Sequence, residues 1–285
     1  DLGADQNIVV VEDQFPSNYY IWVEKAAAAG AVMNVVPRPD NGDWTPGVLA
    51  AIGPDTAIVT LPPCHWMDGS LLDLEKIGVR CREVGAAYVI DGTQAIGAQP
   101  MDIAKIQPDF LACSAYKWLL SPYTLAFLYA APHRRAGRPL ELHSGNHDPG
   151  QLQGTYSTAL RPNAARYDMG ERTNLTLLPM ACVAMEQLLD WGIDGIEAYL
   201  GSLTDRIADE AGRRGYSHPP REHRARHFIG LTPPGGVPEG LVDKLAAENV
   251  YVAPRGPCIR VSPHMHNDFE DIERLFDALD RHLPA

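Results

Sequence analysis

No apolar run in the 285-residue chain approaches the length of a membrane span, so no transmembrane segment is expected. Basic charge is in deficit. Lys and Arg number 24 against 36 Asp and Glu, and the formal net charge of −12 argues against an electrostatic grip on nucleic acid or an anionic membrane. Cysteine is sparse and scattered. Cys64, Cys81, Cys113, Cys182 and Cys258 are odd in number, form no CxxC pair and in several cases sit in apolar runs. Reduced thiols in a cytoplasmic protein are the expectation. Walker loop and serine elbow are both missing, and the small-residue run KAAAAG ending at Gly30 reads as helix packing. His143 and His147 have the helical spacing of a metal pair, but they fall in a Gly-containing stretch with no clear third ligand, so no metal is expected. Repeats and low-complexity segments are lacking. The opening DLGADQNIVVVE has no initiator Met and runs almost at once into a strand, so a region preceding Asp1 is expected.

What is present is alternation. Short β-rich runs occur at Ile8–Val11, Val32–Val36, Ala57–Leu61, Ala87–Ile90, Phe110–Cys113 and Leu125–Tyr129. Helix-like stretches fall between several of them, such as Ser70–Val84 with Leu71, Leu72, Leu74 and Ile77 at helical spacing. This order implies an α/β fold with a mainly parallel sheet flanked by helices. Residues 143–166, rich in Gly, Asn, Pro and Ser, read as irregular. Helices are then expected over Leu175–Trp191, Ile193–Arg213, Pro238–Glu248 and Asp268–His282, with strands near His227–Leu231, around Tyr251 and at Ile259–Val261. This later part reads as a smaller α+β domain, giving a large domain over residues 1–172 and a second over 173–285.

In parallel sheets ligands bind beyond the carboxyl ends of strands. Two such ends stand out. AAYVIDGTQ ends a buried run with Asp91, and DFLACSAYKW ends the next with Ser114 and Lys117. Neighbouring parallel strands would place Asp91 and Lys117 over one crevice. Position alone leaves open a buried Asp–Lys ion pair that stabilises a loop. The alternative is a chemistry that needs both groups. A partly desolvated lysine has its neutral amine favoured and can attack a carbonyl to form a Schiff base. Pyridoxal phosphate requires such a lysine, and also an acid that keeps its pyridine nitrogen protonated. Asp91 suits the second role, Gln94 can hydrogen-bond the ring hydroxyl, and Ser114 and Tyr116 can reach phosphate oxygens.

With DGTQ, then Asp109-Phe110, then SAYKWL in order, the chain resembles the class V aminotransferases, the fold-type I pyridoxal-phosphate enzymes that include cysteine desulfurases and isopenicillin N epimerase-like proteins. GDWTPGVLAAI, DGSLLDLEKIGVRCREVGAAYVIDGTQAIGAQPMDI and CIRVSPHMHNDFEDIERL follow in family order, so the resemblance covers essentially the whole chain. It implies Lys117 as the Schiff-base lysine, Asp91 as the partner of the pyridine nitrogen, Gln94 as the ring-hydroxyl contact and Ser114 as a phosphate contact. Tyr116 stands where the family usually has His, and a phenol can still donate to phosphate. Phe15, in EDQFPSNYYIW, stands where a ring-stacking His often occurs; an aromatic can still stack, and the alternative is a core aromatic. Arg260 matches the arginine that grips the substrate carboxylate, for which a planar guanidinium is suited; the alternative is a surface strand arginine. His65 matches a cofactor-pocket position. Arg172 or Thr173, in GERTN, falls where a neighbouring subunit often contributes a phosphate contact.

Three departures accompany the resemblance. The family's phosphate loop at a helix N-terminus should lie upstream of Asp1, where backbone N–H groups would hold the phosphate. The glycines that usually follow the lysine are replaced by Ser121, Thr124 and Ala126 in SPYTLAF. Cys258 is near Arg260 but sits in the tight RGPCIRV, without the flexible loop that carries the desulfurase nucleophile. The resemblance implies a homodimer acting on an amino acid, with transamination expected first. A desulfurase-like lyase or an epimerase of the same fold is the alternative. A truncated, non-catalytic member is the alternative of another class.

Overall fold

The structure, a computed structural model, describes residues 2–148 and 158–283. Its central element is a six-stranded sheet in the order β2-β1-β3-β4-β5-β6, formed by β1 (Asn7–Val11), β2 (Val32–Val36), β3 (Thr56–Leu61), β4 (Ala87–Asp91), β5 (Phe110–Ser114) and β6 (Ala126–Ala130). All pairings are parallel except β5 with β6. The strands match the β-rich runs of the sequence to within a residue or two. Ile8 to Val11 are fully buried, as expected of a strand covered on both faces.

The helices on this sheet are α1 (Tyr20–Ala29), α2 (Thr45–Ala51), α3 (Leu74–Val84) and α4 (Ile103–Ile106). The expected Ser70–Val84 helix begins four residues late. Ser70 and Leu71 are held by bridges to Arg224 and Cys64, and the Asp73 carboxylate caps α3 by accepting from Lys76 N–H. In the second half come α5 (Leu177–Trp191), α6 (Ile193–Arg213), α7 (Leu241–Ala247) and α8 (Phe269–His282). A three-stranded antiparallel sheet in the order β7-β9-β8 joins them, formed by β7 (Ile229–Leu231), β8 (Ala253–Arg255) and β9 (Cys258–Val261). α7 starts after Gly240, whose φ of 74° breaks the helix expected from Pro238. The strand expected around Tyr251 lies at Ala253–Arg255. Short 3-10 turns at Ser144–Asn146 and Ala164–Tyr167 occupy the stretch expected to be irregular, of which residues 149–157 lie outside the described residues.

One core lies on the sheet and includes Val9, Trp44, Val59, Leu61, Ile77, Tyr88 and Ile90. A second joins α6 and α8 to the small sheet through Leu200, Leu203, Phe228, Ile259 and Phe276. Cys64, Ala98 and Trp118, from the first half of the chain, are packed into this second core. The segment carrying Lys117 is therefore pinned between the two halves.

Candidate active site

The strand order reverses direction between β1 and β3, the place where open parallel sheets bind ligands. A cavity of about 370 Å³ opens there, at the carboxyl ends of β1, β3, β4 and β5. Phe15 reaches it from the segment after β1, Trp66 from the segment after β3, Asp91 and Gln94 from the end of β4, and Ser114, Tyr116 and Lys117 from the end of β5. The β4–β5 register, with Asp91 opposite Ala112, brings the two strand ends together. Ser114 N–H donates to Thr93 Oγ1 at 3.1 Å, and Gly92 N–H to the Ala112 carbonyl at 2.8 Å, locking the two turns.

Lys117 is partly buried. Its Nζ lies 5.2 Å from the Phe15 ring centroid and 5.8 Å from that of Tyr116. Among the described residues it has no carboxylate within 4.0 Å and donates no hydrogen bond. The Asp–Lys ion pair left open by the sequence is thus not formed. Burial pushes the ammonium below the ordinary lysine range. The Asp91 carboxylate pulls the other way, and the charges of Arg260 and Arg255 add to the lowering. Asp91 accepts from Thr93 N–H at 3.1 Å and has no cationic side chain within 4.0 Å among the described residues. Gln94 Oε1 accepts from Trp118 Nε1–H at 3.3 Å, and its Nε2 has no partner among the described residues. Tyr116 is stacked on Tyr123, centroids 4.3 Å apart.

Trp118 anchors the lysine loop by stacking on His264 at 5.5 Å and meeting His227 edge-on at 4.6 Å. The other side of the loop is held by a close approach. Gly97, at φ 101°, lies so near that a Cβ there would sit 2.5 Å from the Trp118 carbonyl carbon and nearer still to its oxygen. After the lysine, Thr124 adopts φ 71° at one of the positions where the family has glycine. A β-branched residue in the left-handed region is strained.

The remaining expected residues are placed as follows. Arg260 does not itself line the cavity; its Nη1 donates at 2.7 Å to the carbonyl of Trp66, which does. Burial first, and then Arg255, bring its pKa down to about 10. His65 does not line the cavity. It is fully buried behind it, stacked on Trp44 at 5.2 Å with Nε2 at 3.0 Å from the Glu12 carbonyl, and burial keeps the ring neutral. Its neighbour Trp66 faces the cavity instead, held by Nε1–H donating to the Asp13 carbonyl at 2.7 Å and meeting Phe15 edge-on at 5.6 Å. Arg172 is exposed and ion-paired to Asp168; neither it nor the exposed Thr173 lines the cavity. Gln14, Asn18, Thr93 and Trp66 were not singled out from the sequence. The same rule of looking just past each strand would have found them. Burial raises the Cys113 pKa to about 12 and that of Cys258 to about 11, so neither thiol is a ready nucleophile. No cluster of three metal-ligating side chains occurs among the described residues.

The profile of the aminotransferase class-V family matches residues 1–275. Isopenicillin N epimerase of Streptomyces clavuligerus is 28% identical over 307 residues, covering 98% of this chain and 74% of that protein. The cysteine desulfurase IscS of Proteus mirabilis is 33% identical over 124 residues, 44% of this chain and 30% of that one. Among solved structures, the apo cysteine desulfurase of Thermococcus onnurineus superposes with a TM-score of 0.85 at 19% identity, over 99% of this chain and 73% of that chain. The likeness in structure establishes the fold-type I architecture.

Proposed function

Because the chain belongs to the class-V aminotransferase family, we propose that the cavity around Lys117 is the active site of an amino acid aminotransferase. The cofactor is pyridoxal 5′-phosphate and the substrate class is amino acids, as the family implies. The residues present fit that cofactor. The observation that carries the reading is the partly buried Lys117 amine sharing a cavity with Asp91 without an ion pair between them or to any other described residue.

Bound in the cavity, the cofactor would supply an aldehyde that captures amines and a pyridinium that withdraws electrons from Cα. Lys117, favoured in its neutral form, first offers the nucleophilic amine. When its amine is free and neutral, Lys117 would be the base positioned to take the substrate Cα proton. Asp91 would hold a proton on the pyridine nitrogen, Gln94 Nε2 would donate to the ring hydroxyl, and the Ser114 and Tyr116 hydroxyls would donate to the phosphate. Phe15 offers a flat apolar face to the ring and carries no proton. Arg260 grips the substrate carboxylate. Arg172 and Thr173 remain proposed as contacts to a neighbouring subunit's phosphate, and His65 as a buttress behind the cofactor wall. Every cavity-lining residue lies before residue 127, which supports assigning the cofactor to residues 1–172 and leaving 173–285 as the smaller part.

The likeness to isopenicillin N epimerase over 98% of this chain favours epimerisation at Cα as a second reading, since it begins with the same proton removal. A desulfurase is less well supported, because the thiol that lines the cavity, Cys113, is held protonated. A second copy of the chain is proposed to cover the exposed apolar residues of α5, where Leu178, Met180, Val183 and Leu189 face outward, and of the edge strand β6 at Phe127 and Leu128. All five cysteines are free, which suits a cytoplasmic location.

The test is to incubate the protein with pyridoxal phosphate and record its visible spectrum. A band that borohydride bleaches and that Lys117→Ala lacks is expected. A folded protein that stays colourless would mark a non-catalytic family member. Keto acid, sulfide and loss of chirality, measured separately on a panel of amino acids, distinguish the reactions.

A further inference from the structure

Two arginines, not one, contact the cavity-lining Trp66, although neither lines the cavity itself. The β8–β9 hairpin sets Arg255 opposite Cys258 and Ala253 opposite Arg260. Both guanidinium groups are tied to the same residue. Arg255 Cζ lies 5.4 Å from the Trp66 ring centroid, and Arg260 Nη1 donates to the Trp66 carbonyl at 2.7 Å. Trp66 lines the cavity with Lys117, and Phe15 bridges them, edge-on to Trp66 and 5.2 Å from Lys117 Nζ. The two cations are thus fixed relative to each other by one residue, Trp66, through its ring in one case and its backbone carbonyl in the other.

Neither arginine has a carboxylate within 4.0 Å among the described residues. This holds although the chain carries a formal net charge of −12. Among the described residues each donates a hydrogen bond only from Nη1, Arg255 to the Pro254 carbonyl and Arg260 to that of Trp66, with the Arg260 guanidinium also over the Phe228 ring at 5.7 Å. Each leaves its Nε buried and without a partner. The unused edge of both is therefore the Nε–Nη2 fork. Elsewhere in this protein that fork clamps a carboxylate: Arg214 donates from Nε and Nη2 to the two oxygens of Asp280, at 2.7 Å each. A buried donor with no acceptor costs free energy, as does holding two guanidinium charges together. An anion at each fork removes both costs.

We propose that Arg255 is a second anion-recognition residue, and that the site takes an amino acid bearing a second acidic group, such as a dicarboxylic amino acid. The α-carboxylate docks on the Arg260 fork and the distal acid on that of Arg255. This rests on the reading of Arg260 as the α-carboxylate anchor and adds the side-chain specificity that the reading leaves undefined. The closeness of both charges to Lys117, whose ammonium they disfavour, agrees with a ligand bridging the hairpin and the lysine.

The test uses the full chain loaded with pyridoxal phosphate. Glutarate and butyrate, which carry two carboxylates and one, are titrated by calorimetry at one ionic strength. The wild type is expected to bind glutarate roughly 10-fold more tightly, the size of one charge-assisted contact. Arg255→Met is expected to bring the two affinities together while leaving butyrate binding within about twofold. Arg255→Lys, which keeps the charge and loses the fork, is expected to fall between, and it carries the test if the Met variant melts early. Arg260→Met is expected to weaken both ligands. An unchanged glutarate preference in both Arg255 variants, or no preference or no binding in the wild type, overturns the proposal. If butyrate binding survives Arg260→Met intact, the α-carboxylate anchor falls and the two-point geometry with it. If the Lys117-dependent visible band is present while glutarate shows no advantage, the enzyme reading stands and only the second anion site is lost.

Discussion

Gly97 offers a direct test of how the lysine loop is held. A methyl group there would lie 2.5 Å from the Trp118 carbonyl carbon, against an ordinary contact of at least 3.4 Å, so the backbone one residue past Lys117 must retreat by roughly 1 Å. Gly97→Ala carries two costs: the positive φ of 101°, at about 1–2 kcal/mol, and overpacking against backbone, at about 1–3 kcal/mol. Gly85 isolates the first cost. It caps the C-terminus of α3 at φ 76°, and an added Cβ there meets nothing within 4 Å. At ~2–4 °C per kcal/mol, Gly85→Ala should lower the melting temperature by ~2–8 °C and Gly97→Ala by ~4–20 °C. Thermal unfolding at one scan rate, without added cofactor, measures both. The functional readout is the visible band after loading with pyridoxal phosphate. Displacing a reactive group by about 1 Å can cost on the order of 100-fold in rate, so Gly97→Ala should load slowly while Gly85→Ala loads as the wild type does. A Gly97→Ala variant no less stable than Gly85→Ala and equally quick to load would refute the claim that this close approach positions the lysine.

Two further outcomes are expected. Lys117 and Lys76 have opposite environments: burial lowers the pKa of Lys117, whereas the Asp73 side chain raises that of Lys76. The depressed Lys117 sheds its proton at a lower pH in the folded chain than in the unfolded one. It therefore works against folding at pH below its folded pKa, and this effect is lifted as pH rises toward the usual lysine value. Limiting amine-acylating reagent at pH about 8 should accordingly label Lys117 ahead of Lys76 by peptide mapping, and equal labelling would contradict the desolvated amine. Sedimentation of the native protein should give a species twice the 31.2 kDa chain mass; a monomer at every concentration would remove the proposed second copy from α5 and β6.

Much of the site was legible before folding because its residues follow strand ends. Asp91, Gln94, Ser114, Tyr116 and Lys117 lie within a few residues of β4 and β5, two adjacent parallel strands, so the sequence order that sets the strands also sets the crevice. His65 and Trp66 show where that reasoning stops. Past the end of β3 the chain is irregular, the alternation of side chains between faces no longer applies, and a one-residue offset decides which ring meets the cavity. Hydrogen bonding to the Glu12 carbonyl and stacking on Trp44 turn His65 inward, and both partners are distant in sequence.

The sequence by itself determined the α/β alternation, the parallel sheet and the pairing of an acid with a lysine at neighbouring strand ends. These follow from local hydrophobic period and from the order of short β-rich runs. Only the tertiary structure decided that Asp91 and Lys117 share a cavity without forming an ion pair, because their separation depends on strand register and on the pinning of Trp118 by His227 and His264. It alone brought Arg255 and Arg260 to one residue of the cavity wall, Trp66. That proximity comes from docking the β8–β9 hairpin against Trp66, nearly two hundred residues earlier in the chain, and no local pattern encodes it.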